Sequence, residues 1–205
     1  MRIVCVSDTH LRPLETVPDG DLLIHAGDFT MTGTMPEVKT FNRWLAALPH
    51  AHKVVIAGNH DFAFEQEPAL ARRALTGGTY LEDELTEVEG LRIWGSPWQP
   101  RYGVWAFNLD RGEAIRAKWD LIPEHVDVLV THGPPAGIGD RLATGEHVGC
   151  KDLLHAVERL HPKLHVFGHI HEGYGTVSRR KTTFVNASIC DFAYRATNTP
   201  IVIDL

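Results

Sequence analysis

The sequence is short of cysteine, of basic runs and of long apolar stretches, and each shortage removes a class of protein. Its 205 residues include three cysteines, Cys5, Cys150 and Cys190, with no CxxC spacing. An odd, scattered set supports neither a disulfide framework nor a thiolate zinc site. Cys5 lies inside an apolar run and reads as a buried, inert thiol. Lys and Arg do not cluster beyond Arg72-Arg73 and Arg179-Arg180-Lys181, and the formal net charge is -6. Without a basic stripe to neutralise phosphates, long nucleic acid is not an expected partner. No stretch reaches the roughly 18 apolar residues of a membrane span. The opening MRIVCVSDTH turns polar after six residues, too soon for a signal-peptide core. A cytoplasmic protein without a membrane partner is expected, and the oligomeric state stays open. Internal repeats and linkers are also missing, so 1–205 reads as one domain.

What the chain has in quantity is histidine, 13 in all. Several follow short, β-branched apolar runs. The runs 3–6, 22–26, 54–57, 126–130 and 164–167 read as buried strands. Helical spacing of Phe41, Trp44, Leu45 and Leu48 predicts an amphipathic helix over 36–48, with Pro36 in its first turn and Pro49 after its end. Shorter helices are expected over 68–75, 113–119 and 151–160. Hairpins are expected around Glu89-Gly90 and Arg179-Arg180, and a last strand at 201–203. This order predicts an α/β domain of two stacked sheets with helices outside.

Each of the five runs ends in a polar cluster: Asp8-Thr9-His10, Gly27-Asp28, Gly58-Asn59-His60-Asp61, His132-Gly133 and Gly168-His169-Ile170-His171. The carboxyl ends of α/β strands are where ligands usually bind. Every cluster offers oxygen or imidazole nitrogen and none offers sulfur, a donor set suited to Mn²⁺, Fe or Zn²⁺ in an open site. Asp8, His10, Asp28, Asn59, His132, His169 and His171 are too many ligands for one ion that must also hold water. They suit two ions sharing a carboxylate, with Asp8 and Asp28 the candidates for the bridge. A single such Asp would be a turn residue and a single such His a core residue. His25 and His165, inside strands, read that way, as satisfied core histidines. His50, His52, His125, His155 and His161 read as surface or loop residues.

The order SDTH, GDF, GNHD, THG, GHIH resembles the calcineurin-like metallophosphoesterase superfamily. The stretches GDFT, FNRWL, VVIAGNH, WAFNL, WDLIPE, THGPP, KLHVFGHIHEGYG and VNAS resemble, more closely, the metallophosphoesterase-domain-containing family, which includes phosphodiesterases that bind purine nucleotides. The resemblance implies a four-layer αββα sandwich. It implies that Asp8, His10, Asp28 and His171 hold one metal, and that Asn59, His132 and His169 hold the second with Asp28 as the bridge. His60 would be the catalytic histidine. Some animal relatives carry Gly at the first His of the GHxH motif, which weakens their second site. His169 is present here, so a complete centre is expected.

Two divalent cations, Mn²⁺ first and Fe or Zn²⁺ next, would activate a hydroxide and clamp the phosphoryl oxygens, with His60 serving the leaving oxygen. With two Asp and the hydroxide, the centre keeps a charge of about +1, which matches a diester better than a dianionic monoester. The arginine of the phosphoprotein phosphatase motif GDxxDRG has no counterpart in GDFTMTG, although Arg12, Arg101, Arg141 or Arg195 could approach from loops. The expected activity is therefore hydrolysis of small phosphodiesters such as cyclic nucleotides. The alternatives are a phosphomonoesterase or nucleotidase, a nuclease, and a non-catalytic scaffold of the same fold. Substrate contacts are expected from Asn59, His60, Trp98 and Phe107. The two rings lie in the aromatic segment 96–108, which either stacks on a base or packs on the domain. Asp61 reads as a helix N-cap or as a group orienting a neighbour. Glu172 to Tyr174, His147 and Cys150 are rim candidates.

Overall fold

A computed structural model describes residues 1–12, 14 and 16–205. In chain order the strands and helices are β1 (Arg2–Val6), β2 (Leu22–Ala26), α1 (Met35–Ala47), β3 (His52–Ile56), α2 (Phe62–Gln66), α3 (Pro68–Ala74), β4 (Thr79–Tyr80), β5 (Glu84–Val88), β6 (Leu91–Ser96), β7 (Gln99–Pro100), β8 (Asn108–Leu109), α4 (Glu113–Trp119), β9 (Val128–Thr131), α5 (Lys151–Leu160), β10 (Leu164–Phe167), β11 (Gly175–Arg179), β12 (Thr182–Asn186) and β13 (Ile201–Asp204).

The apolar runs become strands buried on both faces, and their period of two decides what each face meets. Ile3 and Cys5 of β1, Ile24 of β2, and Val54 and Ile56 of β3 join Val128, Val130, Leu164 and Val166 in a core between two sheets. Val4, Val6, Leu23 and Val55 point the other way, onto Phe41 and Leu45 of α1 and onto α2 and α3. Leu129 and Phe167 point outward from the second sheet, onto Ile115 and Trp119 of α4 and Leu153 and Val157 of α5. The layers therefore run helix, sheet, sheet, helix, the αββα sandwich the resemblance implied. Sealing a leucine such as Leu45 at 0% exposure contributes about 1.5–3 kcal/mol.

The first sheet has the order β13-β1-β2-β3-β4 and the second β11-β12-β10-β9-β6-β5. β1, β2 and β3 are mutually parallel neighbours. β6, β9, β10 and β12 are also parallel neighbours in the second sheet. Their carboxyl ends open on one edge of the sandwich. β5–β6 and β11–β12 are the two expected hairpins. α1 starts one residue before the expected Pro36. The Glu37 carboxylate accepts from the Thr34 backbone N–H at 2.9 Å, closing the N-terminus. Leu48 is extended (ψ 142°) because Pro49 follows it. The short helix α2, directly after the Gly-Asn-His-Asp cluster, was not expected. No helix among the described residues is long and apolar enough to cross a membrane.

Candidate metal centre

The turn after each of five strands delivers its polar cluster to one place. Asp8 and His10 follow β1, Asp28 follows β2, and Asn59 and His60 follow β3, while His132 follows β9 and His169 and His171 follow β10. The turns are sharp. Asp8, His10, Asp28 and His169 all have positive φ, between 44° and 67°. Non-glycine residues hold that conformation at a cost, and it recurs at functional sites.

Ligand atoms fall into three overlapping groups: Asp8 with His10 and His171, His10 with Asp28 and His60, and Asp28 with His132 and His169. Within each group the atoms lie within 4.8 Å of one another. Asp28 sits between the sides, its Oδ2 3.9 Å from His10 Nε2 and 3.3 Å from His132 Nε2. Asn59 Oδ1 is 2.8 Å from His132 Nε2, and Asp8 Oδ1 is 3.3 Å from His171 Nε2. All seven proposed ligands and His60 are thus brought together, and of the two candidate bridges Asp28 has the central position.

The rings are aimed by the backbone. His10 Nδ1 faces Thr30 O at 3.1 Å, His60 Nδ1 faces Met31 O at 2.7 Å, His132 Nδ1 faces Ala26 O at 2.9 Å and His171 Nδ1 faces Asp191 O at 2.8 Å. A carbonyl can only accept, so Nδ1 donates in each case and Nε2 is left for the centre. Among the described residues, His10 Nε2 is buried without a hydrogen-bond partner. A buried lone pair converging with carboxylates is what a cation-binding site requires, so the donor set fits divalent metal.

Charge within the cluster is compensated in pairs. Burial works to raise the Asp8 carboxyl, but the His171 imidazole, by hydrogen bond and charge, holds it well below the usual range. Asp28 is lowered likewise by His132 against the effect of burial. Burial would lower His132 and His171, yet Asp28 and Asp8 lift each to about 9. His169 is pushed down to about 3 by burial and the His132 charge, and His10 is lowered by burial. A divalent ion held at Nε2 of His132 and His171 would displace the proton that each otherwise keeps near neutral pH.

Second contacts join the two sheets across the centre. The Asp8 carboxylate accepts from the His169 N–H at 3.0 Å and the Ser188 hydroxyl at 2.9 Å. Asp61 gives α2 no side-chain cap. Its carboxylate accepts from the backbone N–H groups of Asp28, Thr30 and Gly58 at 2.8–2.9 Å and from the Thr30 hydroxyl at 2.6 Å. Of the two readings of Asp61, orientation of a neighbour is the one the structure supports. Burial and the Asp28 charge push it up to about 7.

A cleft of about 430 Å³ opens over the centre, with Asp28, Asn59, His60 and His169 on its floor. The aromatic segment contributes Tyr102 and Trp105 to its wall, not Trp98 and Phe107. That corrects the expected substrate contacts. Phe107 is 1% exposed in the core beneath the loop. Trp98 packs edge-on against it at 5.4 Å, donates its indole N–H to Asp83 and lies under the Lys118 ammonium. Both rings gain more by burial than by facing the cleft. Trp105 instead covers His60, with ring centroids 4.3 Å apart.

Other expectations also shift. His25 and His165 are buried, but among the described residues the Nδ1 of each has no partner, so neither is fully satisfied there. Their Nε2 atoms bond Thr9 and Thr131, the residues beside the proposed ligands His10 and His132. His50 lies in a loop, one of its two expected places, but is 4% exposed and bonds Pro18 O. His147 is held by Asp140 at 2.7 Å, and Cys150 caps α5 as a buried thiol. Ser188, Trp105 and Tyr194 were missed. Ser188 lay in the VNAS stretch, which carried family resemblance but no assigned role.

Residues 1–173 match the family described as calcineurin-like phosphoesterase. The protein is similar to human Metallophosphoesterase domain-containing protein 1, at 50% identity over 231 residues covering 100% of this chain and 71% of the relative. The mouse protein of that name matches equally. A UPF0046 protein of Caenorhabditis elegans is 43% identical, covering 100% of this chain and 81% of its own length. In fold, the chain is similar to TT1561 of Thermus thermophilus, with a TM-score of 0.59 at 15% identity over 90% of this chain and 88% of that one.

Proposed function

The chain belongs to the calcineurin-like phosphoesterase family, among its metallophosphoesterase-domain-containing members, and we propose that it is a two-metal phosphodiesterase acting on small phosphodiesters such as cyclic nucleotides. The observation that carries this reading is the central position of Asp28 between two ligand groups, on the same cleft floor as His60. In it, Asp8, His10, Asp28 and His171 hold one divalent ion, and Asn59, His132, His169 and Asp28 hold the other, Mn²⁺ first and Fe or Zn²⁺ next. Bound divalent cations lower the pKa of water and neutralise phosphoryl oxygens.

The chain's own residues do the rest. With Nδ1 held by Met31 O, His60 presents Nε2 to the cleft, where it donates to the leaving oxygen. Trp105 and His10 pack on its ring and limit its rotation. The nearby arginines favour a singly charged ester, because each is already engaged. Arg12 bonds Tyr194 O, Arg195 pairs with Asp191, Arg101 pairs with Asp110, and Arg111 donates to the carbonyls of Val148 and Gly149. The same reading has the protein working in the cytoplasm on a small substrate rather than on long nucleic acid.

The test compares rates of the Mn²⁺-loaded protein on bis(p-nitrophenyl) phosphate, 2′,3′-cyclic nucleotides, mononucleotides and single-stranded DNA. The diesters are expected to lead. Absence of diester turnover with every divalent ion tried would overturn the reading, and a preference for mononucleotides would convert it to a monoesterase.

A further inference from the structure

We propose that Tyr194 is a catalytic residue whose phenolic hydroxyl donates a hydrogen bond to the leaving oxygen of the scissile ester, beside His60. The inference rests on the phosphodiesterase reading above. Tyr194 lies outside every strand-end cluster, yet it lines the cleft over the centre. Its ring stands edge-on to His10 with centroids 4.8 Å apart, and 5.9 Å from His171. Its hydroxyl is 3.5 Å from His60 Nε2. With Nδ1 donating to Met31 O, His60 turns Nε2 toward the phenol, so both groups face the same point in the cleft. At 3.5 Å the bond is long. A donor left loosely paired in a cleft is free to turn to an oxygen that arrives between it and His60, and such bonds tighten only when substrate is bound.

The turn that carries Tyr194 is built to hold it there. Tyr194 has φ 57°, the strained sign shared with Asp8, His10, Asp28 and His169. Its N–H donates to Asp191 O at 2.8 Å, and its own carbonyl accepts from Arg12 Nε at 2.9 Å. The Asp191 side chain accepts from the N–H groups of Ala193 and Arg195 and pairs with the Arg195 guanidinium. The same Asp191 carbonyl aims His171. One turn thus positions a proposed metal ligand and a phenol together, and it accounts for Arg12 and Arg195, which the sequence offered as phosphate contacts. An uncharged donor aimed where negative charge develops stabilises the transition state more than the ground state.

The experiment uses Tyr194→Phe, which removes one oxygen and keeps the ring, in the full chain loaded with Mn²⁺. In the first arm, kcat is measured on methyl aryl phosphodiesters whose leaving phenols rise in pKa. The expected loss grows from under about 3-fold with nitrophenol to about 30–100-fold with phenol, because a poorer leaving group carries more charge. A loss equal across the series, or no loss, overturns the inference. The second arm needs no turnover: metal content is measured, and inorganic phosphate binding is followed by calorimetry. Full metal occupancy with phosphate bound about 3–10-fold more weakly supports the contact. Unchanged phosphate affinity, or lost metal, overturns it. Wild-type protein inert toward every diester would defeat the phosphodiesterase reading separately, and the phosphate arm would still decide whether the phenol meets a bound phosphoryl oxygen.

Discussion

The Asp61 carboxylate ties two ligand loops together, so removing its acceptors in steps should cost stability in steps. Oδ2 accepts from the N–H groups of Asp28 and Gly58, and Oδ1 from the N–H and hydroxyl of Thr30. In Asp61→Asn the amide oxygen can keep the first pair. The amide nitrogen then faces Thr30, whose hydroxyl can turn fully to His60 O, already 3.1 Å away. One buried N–H, that of Thr30, is orphaned, at a cost of about 1–3 kcal/mol. Removing the charge offsets part of that cost, because burial and Asp28 raise Asp61 to about 7 and so disfavour its ionised form in the folded protein. Asp61→Ala orphans all three N–H groups, so the cost rises to about 3–9 kcal/mol, comparable with the whole stability of many domains. Urea unfolding of the chelated protein at neutral pH measures both. Metal affinity should fall about 10–100-fold in Asp61→Ala, where Asp28 loses its anchor, and by less in Asp61→Asn, which keeps it. An alanine variant within about 1 kcal/mol of wild type, or an asparagine variant as damaged as alanine, would refute the reasoning.

Stability of the chelated protein should peak near neutrality. His132 and His171 are raised to about 9 by Asp28 and Asp8 against burial, so their contribution is full below the ordinary 6.5 and is lost as pH climbs through 9. His169, pushed down to about 3 by burial, acts oppositely and weakens the fold as pH falls below 6.5. Melting temperatures from about pH 5 to about pH 9 check this, and a flat profile contradicts it. His169→Ala should lose occupancy of one metal and most diesterase activity; two full metals by elemental analysis would undo the ligand assignment. Gly168→Ala should also cost metal affinity, since a Cβ there overlaps the Asp8 carboxylate and the Ser7 hydroxyl. Retention of wild-type metal content would argue against the close approach.

The ligand motifs were legible because they are local. A buried β-branched run followed by Asp, Asn or His announces both the strand and the group at its end, and five such runs in one chain converge only if the strands are parallel. Two stacked sheets with helices outside followed from the same runs together with the helical spacing around Phe41 and Leu45, and the four-layer αββα form from the family resemblance. Legibility failed where the deciding contact spans the chain. Trp98, Trp105 and Phe107 are equally aromatic in sequence, and only packing against Asp83, His60 and the core separates them. His50 read as a surface or loop residue, and only Pro18 O, 32 residues away, makes it a buried loop residue. Asp61 has the position of an N-cap, but the N–H groups of Asp28 and Thr30 reach it from the neighbouring loop first.

By itself, then, the sequence determined which atoms could bind metal and that strand ends would present them. Only the tertiary structure decided which carboxylate is central, which rings face the cleft, and that Ser188 and Tyr194 reach Asp8 and His60 across 180 and 134 residues. The reason is physical: backbone propensity and periodicity act over a few residues, whereas a site's second contacts are made by side chains whose proximity exists only once the two sheets have packed.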